Sequence, residues 1–171
     1  MTDLVFLDSN VVLYLMDNRE PTKNQQAREW LSRLIEARIL IVSPQVLNEV
    51  YWIGRQKFPQ VPLDELKRFV GDFMPNCRAP LDAAITREAF RIEEQYGLSW
   101  WDCLIVASAL AARCHLLLTE DMQHGMRIDT LTILSPFRST PSQALSPSRQ
   151  KYPMGFKCGI VGLPNVGKST L

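Results

Sequence analysis

Short apolar runs alternate along the chain with longer segments whose apolar residues recur at helical spacing. An uninterrupted apolar run of four or five residues predicts a strand that is buried on both faces. Apolar residues three and four positions apart predict an amphipathic helix. The predicted strands are residues 4–7, 39–42, 115–119 and 131–134, with a short extended piece at 79–81. The predicted helices begin near residues 10, 21, 43, 63, 83 and 99.

This alternation of strands and helices predicts an α/β fold with three αβα layers. Parallel strands that are joined through helices need right-handed crossovers, which place helices on both faces of a mostly parallel central sheet. In such sheets, ligands bind beyond the carboxyl ends of the strands. The connecting helices run antiparallel to the strands, so the helix N-termini lie at that same edge.

The composition is typical of a compact soluble domain. The chain has 171 residues, of which 46% are hydrophobic and 22% are charged, and its formal net charge is +1. This near-neutral balance neither requires nor excludes a nucleic-acid partner. The N-terminal apolar run is too short for a signal peptide or a membrane span, which predicts a cytoplasmic protein without membrane association.

The cysteines and histidines argue against a disulfide framework and against a zinc site. None of the four cysteines belongs to a C-x-x-C pair, so we expect free thiols in a reducing cytosol. His115 and His124 are the only histidines and form no H-E-x-x-H motif, so a zinc hydrolase would lack its ligands.

Four acidic residues stand where this architecture binds ligands, although each also has a simpler structural role. Asp8 ends the first predicted strand and could cap the following helix. Glu49 borders the buried face of its helix, where an unpaired carboxylate is costly. Asp102 could form a capping box with Ser99, and Asp121 could be an ordinary turn aspartate. All four nevertheless belong to one rim of the sheet. We call Asp8, Glu49, Asp102 and Asp121 the four carboxylates.

Carboxylates that gather at one rim need a counter-charge. Two unit charges about 4 Å apart repel by about 4 kcal/mol at an effective dielectric of about 20. Either some of the groups are protonated or a divalent cation lies between them. Oxygen ligands without histidine or cysteine favour Mg²⁺ or Mn²⁺, which can activate water and hold a phosphodiester for in-line attack.

Over residues 1–138 the chain resembles a PIN domain, and it is most similar to the small VapC-type toxins. The motifs that carry this resemblance are L-V-F-L-D-S-N at 4–10, S-P-Q-V-L-N-E at 43–49, L-S-W-W-D at 98–102 and L-L-L-T-E-D at 116–121. The resemblance implies a PIN-like αβα fold and an Mg²⁺- or Mn²⁺-dependent endoribonuclease. It assigns catalysis and metal binding to the four carboxylates, with Asn10 and Thr119 in support. Glu120 is an alternative to Asp121 as the fourth acid.

The resemblance also implies partners. It predicts an RNA substrate, a homodimer and, for the toxin of a type II toxin–antitoxin system, a cognate antitoxin that docks near the site. Two aromatic pairs, Tyr51–Trp52 and Trp100–Trp101, are candidates for stacking on RNA bases, although we expect at least one ring of each pair to pack in the core.

The composition changes near the end of the chain. From Pro136 to Pro153, prolines and serines are interspersed with little apolar periodicity, and we predict a linker over residues 139–153. Residues 154–171 carry a Walker A pattern, G-L-P-N-V-G-K-S, at 162–169.

This last segment resembles the start of an Obg-like (YchF-type) P-loop NTPase. A working P-loop needs a following helix and a magnesium-binding acid on another strand, and neither is present in the sequence. We therefore expect a truncated or fused P-loop fragment that is not an independent domain and does not hydrolyse nucleotides.

Two other classes of function compete with the nuclease. A PIN-like fold that binds RNA or regulates a partner without catalysis would keep the architecture, but it would have no need of the four carboxylates. A phosphatase of the haloacid-dehalogenase type also begins with an aspartate after its first strand. That family has the motif D-x-D or D-x-T after this strand, whereas Asn10 occupies the third position of the motif in this chain.

Overall fold

A five-stranded sheet forms the centre of the computed structural model, which describes residues 3–145. The strands are β1 (Val5–Leu7), β2 (Leu40–Ile41), β3 (Leu116–Leu118), β4 (Arg127–Ile128) and β5 (Leu131–Leu134). Their order across the sheet is β2-β1-β3-β5-β4. Only the pairing of β4 with β5 is antiparallel, so the predicted α/β fold with a mostly parallel sheet is confirmed.

The helices occupy the segments that the apolar spacing predicts. They are α1 (Ser9–Tyr14), α2 (Pro21–Glu36), α3 (Pro44–Lys57), α4 (Leu63–Phe73), α5 (Ala83–Tyr96), α6 (Trp100–Ala111) and α7 (Pro141–Ala144), with a 3-10 turn at Met74–Asn76. Their ends follow local chemistry. Ser43 caps α3 by accepting a hydrogen bond from the backbone N–H of Val46, and Pro44 occupies the first turn. Gly97 ends α5 with a φ of +65°, a conformation that glycine adopts without strain.

The core lies against both faces of the sheet. Every residue of β1 and β3 is buried, which requires cover on each side of these central strands. Along α6, residues 103–109 are all buried, as in a helix that is apolar around most of its circumference. On α2, Trp30 is the largest side chain with less than 2% exposure.

Two short segments differ from the prediction. The strand β4 is not predicted, because two residues are too few for a periodic pattern and Arg127 is exposed. It forms because a tight turn at Asp129, with a φ of +50°, pairs it with β5. The extended piece predicted at 79–81 is not a strand. Its neighbour Cys77 instead forms an isolated parallel bridge with Val42, next to β2.

The first part of the predicted linker is folded. Residues 139–145 include α7, whose start is a capping box between Thr140 and Gln143. The indole Nε1 of Trp30 donates hydrogen bonds to the carbonyls of Pro136 and Ser139, at 3.1 and 3.0 Å. Tertiary contacts with α2 therefore order a segment whose composition predicts a linker. The rest of that linker and the P-loop segment lie outside the described residues.

The described cysteines Cys77, Cys103 and Cys114 are free thiols, in agreement with the prediction. Burial raises the pKa of the Cys114 thiol to about 12, which leaves it protonated and unreactive at neutral pH. Within residues 3–145, no helix has the length and apolar character that a membrane-spanning segment requires.

Candidate active site

Asp8 is the buried centre of a polar cluster at the carboxyl edge of the sheet. It follows β1 directly and is only 4% exposed. Its Oδ1 accepts a 2.7 Å hydrogen bond from the backbone N–H of Ser9, so Asp8 is indeed the N-cap of α1. Its Oδ2 lies 3.3 Å from Nδ2 of Asn10. The structural and the functional interpretation of this residue are therefore compatible.

The surroundings of Asp8 disfavour its ionised form. Burial raises the pKa of the Asp8 carboxyl to about 7, against opposing hydrogen bonds from the Thr119 side chain and the Ser9 backbone. The negative charges of Glu49 and Asp121 raise this pKa further. These two carboxylates, which are remote in sequence, thus lie close enough to act electrostatically on Asp8.

Glu49 reaches this cluster from the second turn of α3. The Oγ of Ser9 donates a 2.5 Å hydrogen bond to Oε2 of Glu49 and lies 3.5 Å from Oδ1 of Asp8. The other oxygen of Glu49, Oε1, accepts a 2.8 Å hydrogen bond from Nε2 of Gln45. Glu49 is half-buried, which agrees with its predicted place at the border of the buried helix face.

Asp102 lies in the first turn of α6, and among the described residues only the Ser99 half of the predicted capping box is formed. The Ser99 Oγ accepts from the backbone N–H of Asp102 at 3.3 Å and donates to its Oδ2 at 2.7 Å. Burial raises the pKa of Asp102, the Ser99 hydrogen bond lowers it, and the charges of Asp121 and Glu49 raise it. Asp102 therefore shares the electrostatic environment of the other carboxylates, and its side chain also binds the residue that caps its helix.

Asp121 is joined to the start of the chain by Asn10. Nδ2 of Asn10 lies 2.8 Å from Oδ2 of Asp121 and 2.9 Å from Oγ1 of Thr119. The same Thr119 hydroxyl accepts a hydrogen bond from the backbone N–H of Asp121 at 3.2 Å. Thr119 is fully buried, whereas Asp121 is exposed. Both residues predicted to support the site thus contact the four carboxylates: Asn10 contacts Asp8 and Asp121, and Thr119 contacts Asp8.

The side chain of Glu120, in the same turn, has different partners from that of Asp121. Its Oε1 accepts a short hydrogen bond from the hydroxyl of Tyr14, and its Oε2 forms a 2.8 Å ion pair with Nζ of Lys23. Lys23 also lies over the rings of Tyr14 and Phe137, at 4.8 and 5.1 Å from their centroids. We call Tyr14 and Lys23 the Glu120 clamp. This arrangement favours Asp121 over Glu120 as the fourth acid of the site.

The four carboxylates share one further property. Among the described residues, none of them forms an ion pair with a lysine or an arginine. Within the same part of the chain, no three acidic, histidine or cysteine side chains are close enough to count as a formed metal-binding cluster. The Ser9 hydroxyl lies between Asp8 and Glu49, and the Asn10 amide lies between Asp8 and Asp121. The Gln45 amide links Glu49 to the backbone carbonyl of Trp101.

This donor set fits Mg²⁺ or Mn²⁺. Carboxylate, hydroxyl and amide oxygens are hard ligands, and these two cations prefer such ligands. Burial, and to a smaller extent the charges of Glu49 and Asp121, raise the pKa of Asp8, and a divalent cation would relieve the repulsion from those two charges. The site residues therefore provide oxygen ligands and a negative field, in a cluster that a bound cation would have to draw closer together.

Ser9, Gln45 and the Glu120 clamp are absent from the sequence-based prediction. Ser9 lies inside the D-S-N motif, and Gln45 is a polar residue on the buried face of α3, four positions before Glu49. Both residues could therefore have been recognised from the sequence. The clamp could not be recognised in this way, because about a hundred residues separate Tyr14 and Lys23 from Glu120.

In each aromatic pair, one ring packs against other residues and the other ring is exposed, in agreement with the prediction. Trp100 is half-buried and packs on Phe90, with ring centroids 5.2 Å apart, whereas Trp101 is 64% exposed. In the other pair, Tyr51 packs against the core and Trp52 is 61% exposed. One ring of each pair is thus available to a partner.

Comparison with known proteins identifies the family. The sequence model of the PIN domain family matches residues 5–125 of the chain. Among solved structures, the chain is similar to VapBC2 from Rickettsia felis, bound to a DNA fragment from the promoter. The TM-score is 0.56 at 18% identity, over 77% of this chain and 98% of that chain, so this likeness concerns the fold.

A separate short match concerns a different protein. Eighteen residues are 94% identical to the ribosome-binding ATPase YchF of Buchnera aphidicola, in the strains from Acyrthosiphon pisum and from Schizaphis graminum. The chain spans only 5% of the length of these relatives, and the match covers 10% of the chain. It agrees with the predicted P-loop fragment, whereas the match over residues 5–125 defines the folded part. The chain belongs to the PIN domain family.

Proposed function

We propose that this chain is an Mg²⁺- or Mn²⁺-dependent endoribonuclease that acts as the toxin of a type II toxin–antitoxin system. The observation that carries the proposal is that Glu49 and Asp121 act electrostatically on both Asp8 and Asp102. Within residues 3–145, no lysine or arginine forms an ion pair with any of these four carboxylates. Membership of the PIN domain family supports a nuclease. A neutral binding module would have no use for this uncompensated charge.

The four carboxylates would hold the cation. When bound, the cation supplies a Lewis acid that lowers the pKa of water and neutralises the charge on a phosphodiester. The remaining residues orient these ligands. Ser9 holds Glu49, and Asn10 holds Asp121, in each case through a hydrogen bond to a carboxylate oxygen. Thr119 donates a hydrogen bond to Asp8 and thereby favours its ionised form.

The surroundings suit an RNA substrate with unpaired bases. Asp102 lies at the N-terminus of α6, where the positive end of the helix dipole favours a phosphate. The adjacent Trp101 presents an exposed ring on which a base could stack. The antitoxin proposal rests on the resemblance of the fold to a toxin–antitoxin assembly, and the proposed homodimer rests on the family resemblance alone.

A non-catalytic RNA-binding or regulatory module is the second candidate. The observation that favours it is that the described carboxylates do not form a closed cluster. The two candidates differ in one result, since only the nuclease turns over RNA.

Purified full-length protein should therefore be incubated with total RNA in Mg²⁺, in Mn²⁺ and in EDTA. We expect cleavage that needs a divalent cation and that Asp8→Asn abolishes, and mapping of the new ends would identify the target. The matched control is Asp64→Asn, since Asp64 is an exposed acid on α4. RNA binding without turnover in either cation would favour the module instead.

A further inference from the structure

Gln45 is a polar residue on the buried face of α3. It is only 6% exposed, and the other residues buried along this helix are Val46, Val50 and Gly54. A buried amide is costly unless its hydrogen bonds are made. The side chain must therefore be kept for what its polar atoms contact.

The amide nitrogen of Gln45 joins two elements of the candidate active site. Nε2 donates a 2.8 Å hydrogen bond to Oε1 of Glu49, on the same helix, and a 3.2 Å hydrogen bond to the carbonyl of Trp101. Trp101 directly precedes Asp102 in the first turn of α6. Both N–H groups of this amide thus donate hydrogen bonds, and together they link the Glu49 carboxylate to the backbone beside Asp102.

The carbonyl oxygen of Gln45 makes no compensating contact. Oε1 is buried and has no hydrogen-bond partner among the described residues. Such an unsatisfied acceptor destabilises the folded state. An apolar side chain of similar volume would avoid this cost, so fold stability alone does not account for a glutamine at this position.

Glu49 is held from two sides. Gln45 binds its Oε1 and Ser9 binds its Oε2, so that neither oxygen is free to turn away from the cluster. The contact of Gln45 with the Trp101 carbonyl ties the first turn of α6, which carries Asp102, to the side chain that binds Glu49.

We propose that Gln45 is a positioning residue that couples Glu49 to Asp102 and thereby sets the spacing of these two ligands for a divalent cation. This inference rests on the proposed function. The inference goes beyond the proposed function because it assigns a role to a residue outside the four carboxylates. It also predicts that removing this residue lowers cation affinity without lowering stability.

The test is Gln45→Met, which keeps the volume of the side chain and removes its hydrogen bonds. Mn²⁺ affinity is measured on the full-length protein by calorimetry or by electron paramagnetic resonance, and the thermal midpoint is measured without cation. We expect Mn²⁺ affinity to fall about tenfold or more, as for other residues that orient metal ligands, while the thermal midpoint stays the same or rises.

The matched control is Gln25→Met. Gln25 also donates to a glutamate four residues later, Glu29, but on an exposed face of α2. We expect this change to alter neither quantity. A drop in the thermal midpoint of Gln45→Met with unchanged Mn²⁺ affinity would assign Gln45 a purely structural role and overturn the proposal.

A double-mutant cycle locates the effect. If Gln45 acts through Glu49, adding Gln45→Met to Glu49→Gln should lower Mn²⁺ affinity by much less than it does in the wild-type protein. Full additivity would contradict the coupling. The proposed function fails separately: wild-type protein that neither binds Mn²⁺ nor cleaves RNA would remove it, whereas an active wild type with an unaffected Gln45→Met would remove only this inference.

Discussion

Nδ2 of Asn10 lies 2.8 Å from Oδ2 of Asp121, a residue 111 positions later in the chain. The contact crosses from the first turn of α1 to the turn after β3, and it closes the site between two neighbouring strands. The same nitrogen lies 3.3 Å from Oδ2 of Asp8. Asn10 therefore keeps two repelling carboxylates at a defined spacing, which makes it the first residue to test.

Removal of the Asn10 amide should loosen the site without unfolding the domain. We expect Asn10→Ala to weaken Mn²⁺ binding about 10- to 100-fold, the usual loss when a group that orients a metal ligand is removed. Titration calorimetry would measure it. The control is Asn48→Ala, since Asn48 is an exposed asparagine on α3. Equal affinities for both variants would show that Asn10 has no part in cation binding.

Cation binding should depend on pH around neutrality. Burial raises the pKa of Asp8 to about 7, so that a proton competes with the cation for this carboxylate across the neutral range. We expect Mn²⁺ affinity to rise with pH and to level off above about 7, falling by about tenfold per unit well below it. An affinity that is constant between pH 6 and 8 would argue against Asp8 as a ligand.

The stability of the cation-free protein should show the opposite trend. The folded pKa of Asp8 lies above the ordinary value of 3.8, so the folded state binds the proton more tightly. The associated stability is present below about pH 4 and is lost as the pH rises through about 7. We expect the thermal midpoint to decrease over this range, and Asp8→Asn to reduce the decrease. A midpoint profile identical in Asp8→Asn would contradict this origin.

The Glu120 clamp should contribute to stability and to the choice of the fourth acid. The Lys23–Glu120 pair is partly exposed, so we expect Lys23→Met to cost only about 1 kcal/mol, or about 2–4 °C in the thermal midpoint. We also expect tighter Mn²⁺ binding, because loss of the Lys23 charge leaves Glu120 unpaired and makes the field beside Asp121 more negative. Lys67→Met is the control, since Lys67 pairs with Asp64 on the exposed side of α4. Unchanged Mn²⁺ binding in Lys23→Met would limit the clamp to a structural role.

The exposed tryptophans should differ in their effect on RNA. Trp101 directly precedes Asp102, whereas Trp52 lies near the middle of α3. Loss of one stacked base costs about 1–3 kcal/mol, so we expect Trp101→Ala to raise the KM for RNA about tenfold or more and Trp52→Ala to have a smaller effect. Neither change should alter Mn²⁺ affinity. A larger effect of Trp52→Ala would place the substrate on α3 instead.

The periodicity of the sequence was sufficient to predict the layers of the fold and the edge on which the acids lie. An apolar run such as residues 116–118 is a buried strand in any parallel sheet, and whatever follows it must lie at the carboxyl edge. The caps were equally local: the Ser43–Pro44 pair and Gly97 determine where α3 begins and α5 ends.

Only tertiary structure decided which polar groups meet at that edge. Glu120 and Asp121 are equivalent in the sequence, yet Tyr14 and Lys23 bind the first and Asn10 binds the second. Residues 139–145 have the composition of a linker, yet hydrogen bonds from Trp30 help to hold that segment against α2. A local pattern encodes which face of an element is buried. Partners a hundred residues apart are determined by how the elements pack, because a side chain's hydrogen bonds depend on distances that no short stretch of sequence specifies.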